Sequence, residues 1–305
     1  MAEVLSATVG TVAGIATNVL KTTAAVTKLG QFPGLVSLVP FTFLLWGHCL
    51  AVAGVTRGRY SGQQLLSFVQ GFLMAFGGGI ASNLFLGNPT SNVIFQGNQA
   101  VLIWTASWWI VNHQPFDIVS KALDLAPVGI AARACLQVLR ASVLVSQVDA
   151  AAKAFPGVIA PAIIAGALAA SGGKISTDIV ASFAGLRAPF EVSNPTYVLR
   201  SSLVGSSVYY VTVYVLKALT ATEGLALVLL AFLAHTLSDD LLGSAYDYTV
   251  PVINVFNTVT LIAPTAKRAI RTTATRGRAP AATAAPSTPR SASKARTPSR
   301  RRRSD

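Results

Sequence analysis

Long apolar runs alternate with short polar connections along the chain, and that rhythm sets the first expectation. Apolar stretches cover roughly 35–55, 63–86, 97–114, 124–148, 157–184, 196–217 and 223–243. Each is near the ~20 residues a helix needs to cross a bilayer. An eighth run, 249–263, carries Pro251 near its start and is too short to cross alone. It reads as part of the seventh element or as a re-entrant piece. The pattern predicts an all-α membrane protein with seven transmembrane helices over 34–264. A weakly amphipathic segment precedes them over 1–33, and a polar tail follows over 265–305.

The second run contains "MAFGGGIASN", with Gly77, Gly78 and Gly79 in succession. Glycine is a poor helix former, costing about 1 kcal/mol relative to alanine. A second copy, Gly172-Gly173-Lys174-Ile175-Ser176, lies 94 residues after Gly78-Gly79-Ile80-Ala81-Ser82, which sets Lys174 against Ile80. Both copies fall near the middle of the second span of a three-span group. The third span of each group follows an Asn-Pro-Thr, at Asn88 and Asn194, a helix-start signal. Three is odd, so the second group inserts upside down. Spans 1–3 and 4–6 are expected to be inverted repeats, with the seventh outside. Glycines so placed admit two readings. They break the helices and line a polar pathway, because freed backbone groups must face a cavity, or they let two helices pack closely. The paired placement favours the break.

Composition supports the membrane class: only 11% of residues are charged and mean hydropathy is +0.56. Of the 24 Lys and Arg, twelve lie from Thr265 onward, where Asp305 is the only acid. The net charge of +13 therefore belongs mainly to the tail. That tail is too poor in apolar residues to offset ordering entropy and is expected to be disordered. With Arg57, Arg59, Lys121 and Arg187 it marks the cytosolic side, leaving the N-terminus lumenal. It serves topology and solubility, or attraction to anionic lipid. It has no aromatic platform for nucleic acid. Glu3, with no basic residue before it, argues against a cleaved signal peptide. Cys49 and Cys135 lie in apolar runs and read as buried, unpaired thiols.

Charges inside the spans are the candidate chemistry. Arg133 and Arg140 lie seven residues apart in the fourth run and share a helix face. A central Arg costs about 2.5–3.5 kcal/mol to insert. With no nearby acid in their own span, the two point to a solvated, functional face. Lys174 has Asp178 one turn on, able to pair with it. "SGGK" is not a phosphate loop, because Leu168 and Ile175 occupy the positions of the motif's first Gly and its Ser/Thr. No catalytic pair, metal cluster or cofactor motif is found, and no enzymatic activity is expected.

"FGGGIASNLFLGNP" (76–89), "PFDIVSKALDLAPV" (115–128), the fourth run and the second glycine copy resemble the trimeric intracellular cation channel (TRIC) family, over about 33–264. The resemblance implies a homotrimer with one hourglass pore per protomer, passing monovalent cations, chiefly potassium. It implies endoplasmic or sarcoplasmic reticulum, or the nuclear envelope, and counter-ion current during calcium release. It also implies phosphoinositide bound between protomers. Gly77–Gly79 and Gly172–Gly173 take the family's kink positions, and Arg140 matches its basic pore residue. The family's Lys-Glu-Val triplet falls on Leu136, Gln137 and Val138, so its lipid-phosphate lysine is missing. Arg133, one turn earlier, is the candidate replacement. Arg140, Lys174 and Asp178 are then the candidates for lining or gating the pore. The alternatives are a secondary transporter, which also uses inverted repeats and broken helices, and a lipid-organising scaffold working through its tail.

Overall fold

The computed structural model describes residues 41–57, 62–89, 94–185, 191, 194–244 and 246–259, all within a compact unit that ends at Thr260. The N-terminal segment and the basic tail lie outside the described residues. Every regular element described is helical: α1 (Phe41–Thr56), α2 (Gln64–Phe85), α3 (Gln99–His113), α4 (Ile118–Asp124), α5 (Ala126–Ala154), α6 (Ile159–Phe183), α7 (Tyr197–Tyr210), α8 (Ala221–Leu242) and α9 (Thr249–Val259). Four of them, α2, α5, α6 and α8, are long and apolar enough to cross a membrane, and α1 is a shorter apolar helix.

Local chemistry explains where the helices stop and start. Gly87, Gly185 and Gly243 follow α2, α6 and α8 with positive φ, the left-handed exit that glycine adopts without strain. Pro115 ends α3, and the next two residues, Phe116 and Asp117, are left-handed without being glycine. Arg57, just past α1, holds the Asp117 carboxylate. Thr220 and Glu223 form a reciprocal capping box that starts α8. The two Asn-Pro-Thr signals behave differently. Thr196 is the N-cap of α7, whereas α3 begins only at Gln99. The run at 249–263 holds a separate helix, α9, reached after the Gly243 turn and capped where Asp247 accepts the Thr249 N–H at 2.9 Å.

Two apolar cores form. One gathers Leu45, Cys49, Val52, Phe76 and Trp104 from α1–α3. The other gathers Leu144, Val148, Tyr209 and Phe232 from α5–α8. Between them, α2 and α6 make the most extensive helix contact among the described residues. Both helices run unbroken through their glycines. This corrects the expected break. A side chain on Gly78 would collide with the Ala169 carbonyl and lie 3.1 Å from that of Leu168. One on Gly173 would collide with the Met74 carbonyl and lie 3.1 Å from that of Leu73. A Cβ on Gly172 would lie 2.8 Å from the Gly78 Cα, and one on Gly77 3.3 Å from the Gly173 Cα. The glycines thus allow backbone to touch backbone, the second of the two sequence readings.

These contacts are reciprocal at an offset of 95 residues, from 78 to 173 and from 74 to 169. Matching the letters of the two copies suggests 94. The contacts therefore set Lys174 against Gly79, not Ile80. One residue of shift is about 100° around a helix, enough to change which face is compared.

Candidate functional site

Beside the crossing lies a partly open cavity of about 290 Å³, walled by α1, α2, α5 and α6 and the start of α7. Gly78, Gly79 and Gly173 line it, as do Lys174 and Arg140. Gly77 and Gly172 instead form the helix contact itself. The lining repeats the 95-residue offset: Phe41 with Leu136, Leu45 with Arg140, His48 with Val143, Met74 with Ala169, Ala75 with Ala170, Gly78 with Gly173, and Gly79 with Lys174. Most of the wall is apolar. Its polar side chains are His48, Gln137, Arg140 and Lys174.

Arg140 is held from three helices besides its own. Its Nε donates to the Ala170 carbonyl of α6 at 3.1 Å. Nη2 donates to the Val198 carbonyl of α7 at 2.6 Å, and to the hydroxyls of Ser201 at 2.6 Å and Ser202 at 2.9 Å. Nη1 reaches Gln137 Oε1 at 3.4 Å. The guanidinium also sits 4.1 Å from the Phe232 ring centroid of α8, a cation–π contact that strengthens when water is excluded. At 9% exposure the residue is buried. This corrects the expected solvated face: the charge is satisfied by carbonyls, hydroxyls and a ring. Apart from Gln137, the acceptors lie 30 to 62 residues along the chain. The sequence signal for them is the Ser201-Ser202 pair in the sixth apolar run, beside Arg200 and followed by a second pair, Ser206-Ser207.

Arg133 shares the α8-facing side of α5, as the seven-residue spacing predicts, but it has an acid. Its Nε lies 2.8 Å from Asp240 Oδ2 of α8. The partner missing from its own span is therefore supplied by another helix, and Arg133 is engaged there as an ion pair. Asp178 is buried, and its Oδ2 accepts the Glu191 N–H at 3.0 Å. Glu191 in turn accepts from the N–H of Thr196 at 3.2 Å and from its hydroxyl at 2.9 Å. Asp178 and Glu191 thus tie the end of α6 to the start of α7, where a carboxylate also suits the helix dipole. Asp178 does not line the cavity. Its counterpart at the 95-residue offset is Asn83, which donates to the Gly79 carbonyl at 2.8 Å and accepts from Gln147 at 3.3 Å. Glu191 and His48 were not singled out by sequence. Both cysteines are free, with Cys49 buried and Cys135 partly so against Gly47.

A family model described as TRIC channel matches residues 60–241. Trimeric intracellular cation channel type 1B.1 of Caenorhabditis elegans is 25% identical over 146 residues, covering 47% of this chain and 49% of the relative. The chain thus spans about half the length of the curated relative it matches. A solved structure of TRIC counter-ion channels in calcium release superposes with a TM-score of 0.62 at 18% identity, covering 72% of this chain and 100% of the other. A trimeric intracellular cation channel from C. elegans without Ca²⁺ gives 0.61 at 17%, covering 72% and 96%. The same channel with bound Ca²⁺ gives 0.60 at 20%, covering 75% and 99%. At these identities the likeness concerns the fold.

Proposed function

The chain belongs to the TRIC channel family, and from that premise we propose that it is a channel for monovalent cations, chiefly potassium, in an intracellular membrane. The observation that carries the reading is the cavity beside the α2–α6 crossing, lined from both sides by residues 95 positions apart. Such pairing supports two three-helix units, α1–α3 and α5–α7, inserted in opposite senses with α8 added outside. It supports seven crossings and one pathway per protomer. The relatives' names supply the rest of the proposal: a trimer, and counter-ion current during calcium release. The basic tail then lies in the cytosol near anionic lipid.

A cation pathway containing an arginine looks self-defeating, and the hydrogen bonds resolve the difficulty. Arg140 spends its donors on Ala170, Val198, Ser201 and Ser202, so its charge is locked into the second half of the bundle. Lys174 also lines the cavity and shapes the field that a cation meets. Recording purified protein in planar bilayers tests the proposal. Unitary current steps with a preference for potassium are expected. Solute-dependent flux without steps would replace the channel with a secondary transporter, and a sealed bilayer would replace it with a scaffold.

A further inference from the structure

By the 95-residue plan, position 147 of α5 belongs on the cavity wall, because its counterpart Val52 lines it. Gln147 is not among the lining residues. Among the first-half lining residues the one other mismatch is Phe76 against Ser171, and it is a matter of size. The serine is short, and its hydroxyl donates to the Ala167 carbonyl at 2.6 Å. Gln147 is longer than Val52 and is turned aside. Its Nε2 donates to Asn83 Oδ1 of α2 at 3.3 Å, and Asn83 Nδ2 donates to the Gly79 carbonyl at 2.8 Å. Gly79 and Val143 line the cavity. Asn83 and Gln147 each stand four residues beyond them, about 6 Å along a helix. The two amides therefore meet just past one end of the cavity and tie the first half of the bundle to the second. From these facts we infer that the Asn83–Gln147 pair is a gate, shut in this structure, on the side of the cavity where α2 ends. The inference rests on reading the cavity as the permeation pathway.

A gate needs a shut state that is held, but not deeply. Asn83 is 5% exposed and bonded through both ends of its amide. Gln147 is bonded through its donor only, and its Oε1 is buried without a hydrogen-bond partner. An acceptor left so in a protein interior costs free energy. When the Gln147 side chain swings into the cavity, it exchanges one long bond for hydration at both ends of its amide. Asn83 stays anchored on Gly79, whose carbonyl also accepts from the Ser82 hydroxyl at 3.2 Å. The movement is one of side-chain torsions, and the space it vacates is bordered by an amide that water can solvate. The positions matching Asn83 and Gln147 are Asp178 and Val52, so the other end of the cavity has no second amide pair of this kind.

The test compares open probability of the full chain in planar bilayers, in potassium, for wild type, Gln147→Ala and Gln147→Leu. Gln147→Ala removes the closing group and leaves room for water at Asn83, so open probability should rise roughly threefold. Gln147→Leu keeps the bulk but cannot be hydrated, and a dry constriction gates by dewetting, so open probability should fall roughly tenfold. Shifts of opposite sign separate a gate from a bond that only staples α2 to α5, whose loss acts the same way in both variants. Shifts of one sign, or none, with unitary steps in wild type overturn the inference and leave the channel reading standing. A wild type without unitary steps overturns the channel reading and the gate with it. Thiol labelling supplies a readout that needs neither variant. Gln147→Cys, combined with Cys49→Ala and Cys135→Ala, should react with a cationic methanethiosulfonate while the channel conducts, and current should fall as labelling proceeds. A thiol at 147 that stays unlabelled in conducting channels overturns the gate.

Discussion

The two walls of the cavity are built on one plan and carry different chemistry. Seven pairs of lining residues stand 95 positions apart, and four of them are apolar or glycine on both sides. The other three are polar on one side only: Arg140 against Leu45, His48 against Val143, and Lys174 against Gly79. The same holds deeper in the bundle. Gly71 and Gly166 both leave room for a third helix: a Cβ on the first would lie 2.5 Å from the Trp104 ring, and one on the second 2.6 Å from the Ser206 hydroxyl. What has been kept between the halves is backbone clearance. What has diverged is charge. Packing in a membrane depends on close approach, so the glycines are constrained together, whereas each polar group is set by the one path it faces.

The largest test of this comparison is steric. Gly78→Val and Gly173→Val each drive a side chain into a carbonyl of the other helix, and each should cost about 3 kcal/mol or more. Thermal unfolding of the solubilised protein should show equal losses, and a loss confined to one variant would break the equivalence of the halves. Next comes the pair Leu45 and Arg140. Arg140→Ala leaves the Ala170 and Val198 carbonyls without their donor and should cost about 3 kcal/mol. Leu45→Ala opens space in an apolar wall, for about 2 kcal/mol. Only the arginine variant should alter current and its voltage dependence. Current and voltage dependence left unchanged would remove Arg140 from the pathway. The smallest effect concerns Lys174. Lys174→Gln should raise unitary potassium conductance about threefold at low salt and less at high salt, because ions screen the removed charge. No change at any salt would mean that the asymmetry of charge is irrelevant to conduction.

Much of the fold was legible because membrane helices announce themselves by length and hydropathy. The runs at 63–86, 124–148, 157–184 and 223–243 hold the four longest helices described. The glycines were legible as a pair but not as a contact, since helix propensity reports the local cost of Gly77–Gly79 and not the backbone of α6 pressed against them. The offset of 95 was hidden for a similar reason. Matching letters favours 94, and only the reciprocal approach of Gly78 and Gly173 selects the face. Arg140 was recognisable from its place in an apolar run, but its acceptors and Asp240, the partner of Arg133, lie on other helices. His48 carried no local signal, because what distinguishes it is the Ala75 carbonyl 27 residues away.

The α2–α6 junction has one more consequence, for temperature. Where helices normally meet, interlocked side chains surrender rotamer freedom on folding and regain some of it on warming. At Gly77, Gly78, Gly172 and Gly173 there are no rotamers to freeze or to release. The junction is held chiefly by main chain, with only the short Ser176 and Ala81 side chains beside it, and its spacing should change least as the protein is heated. A cavity bounded by that junction keeps one edge at a fixed position while the side chains around the rest of its rim grow more mobile.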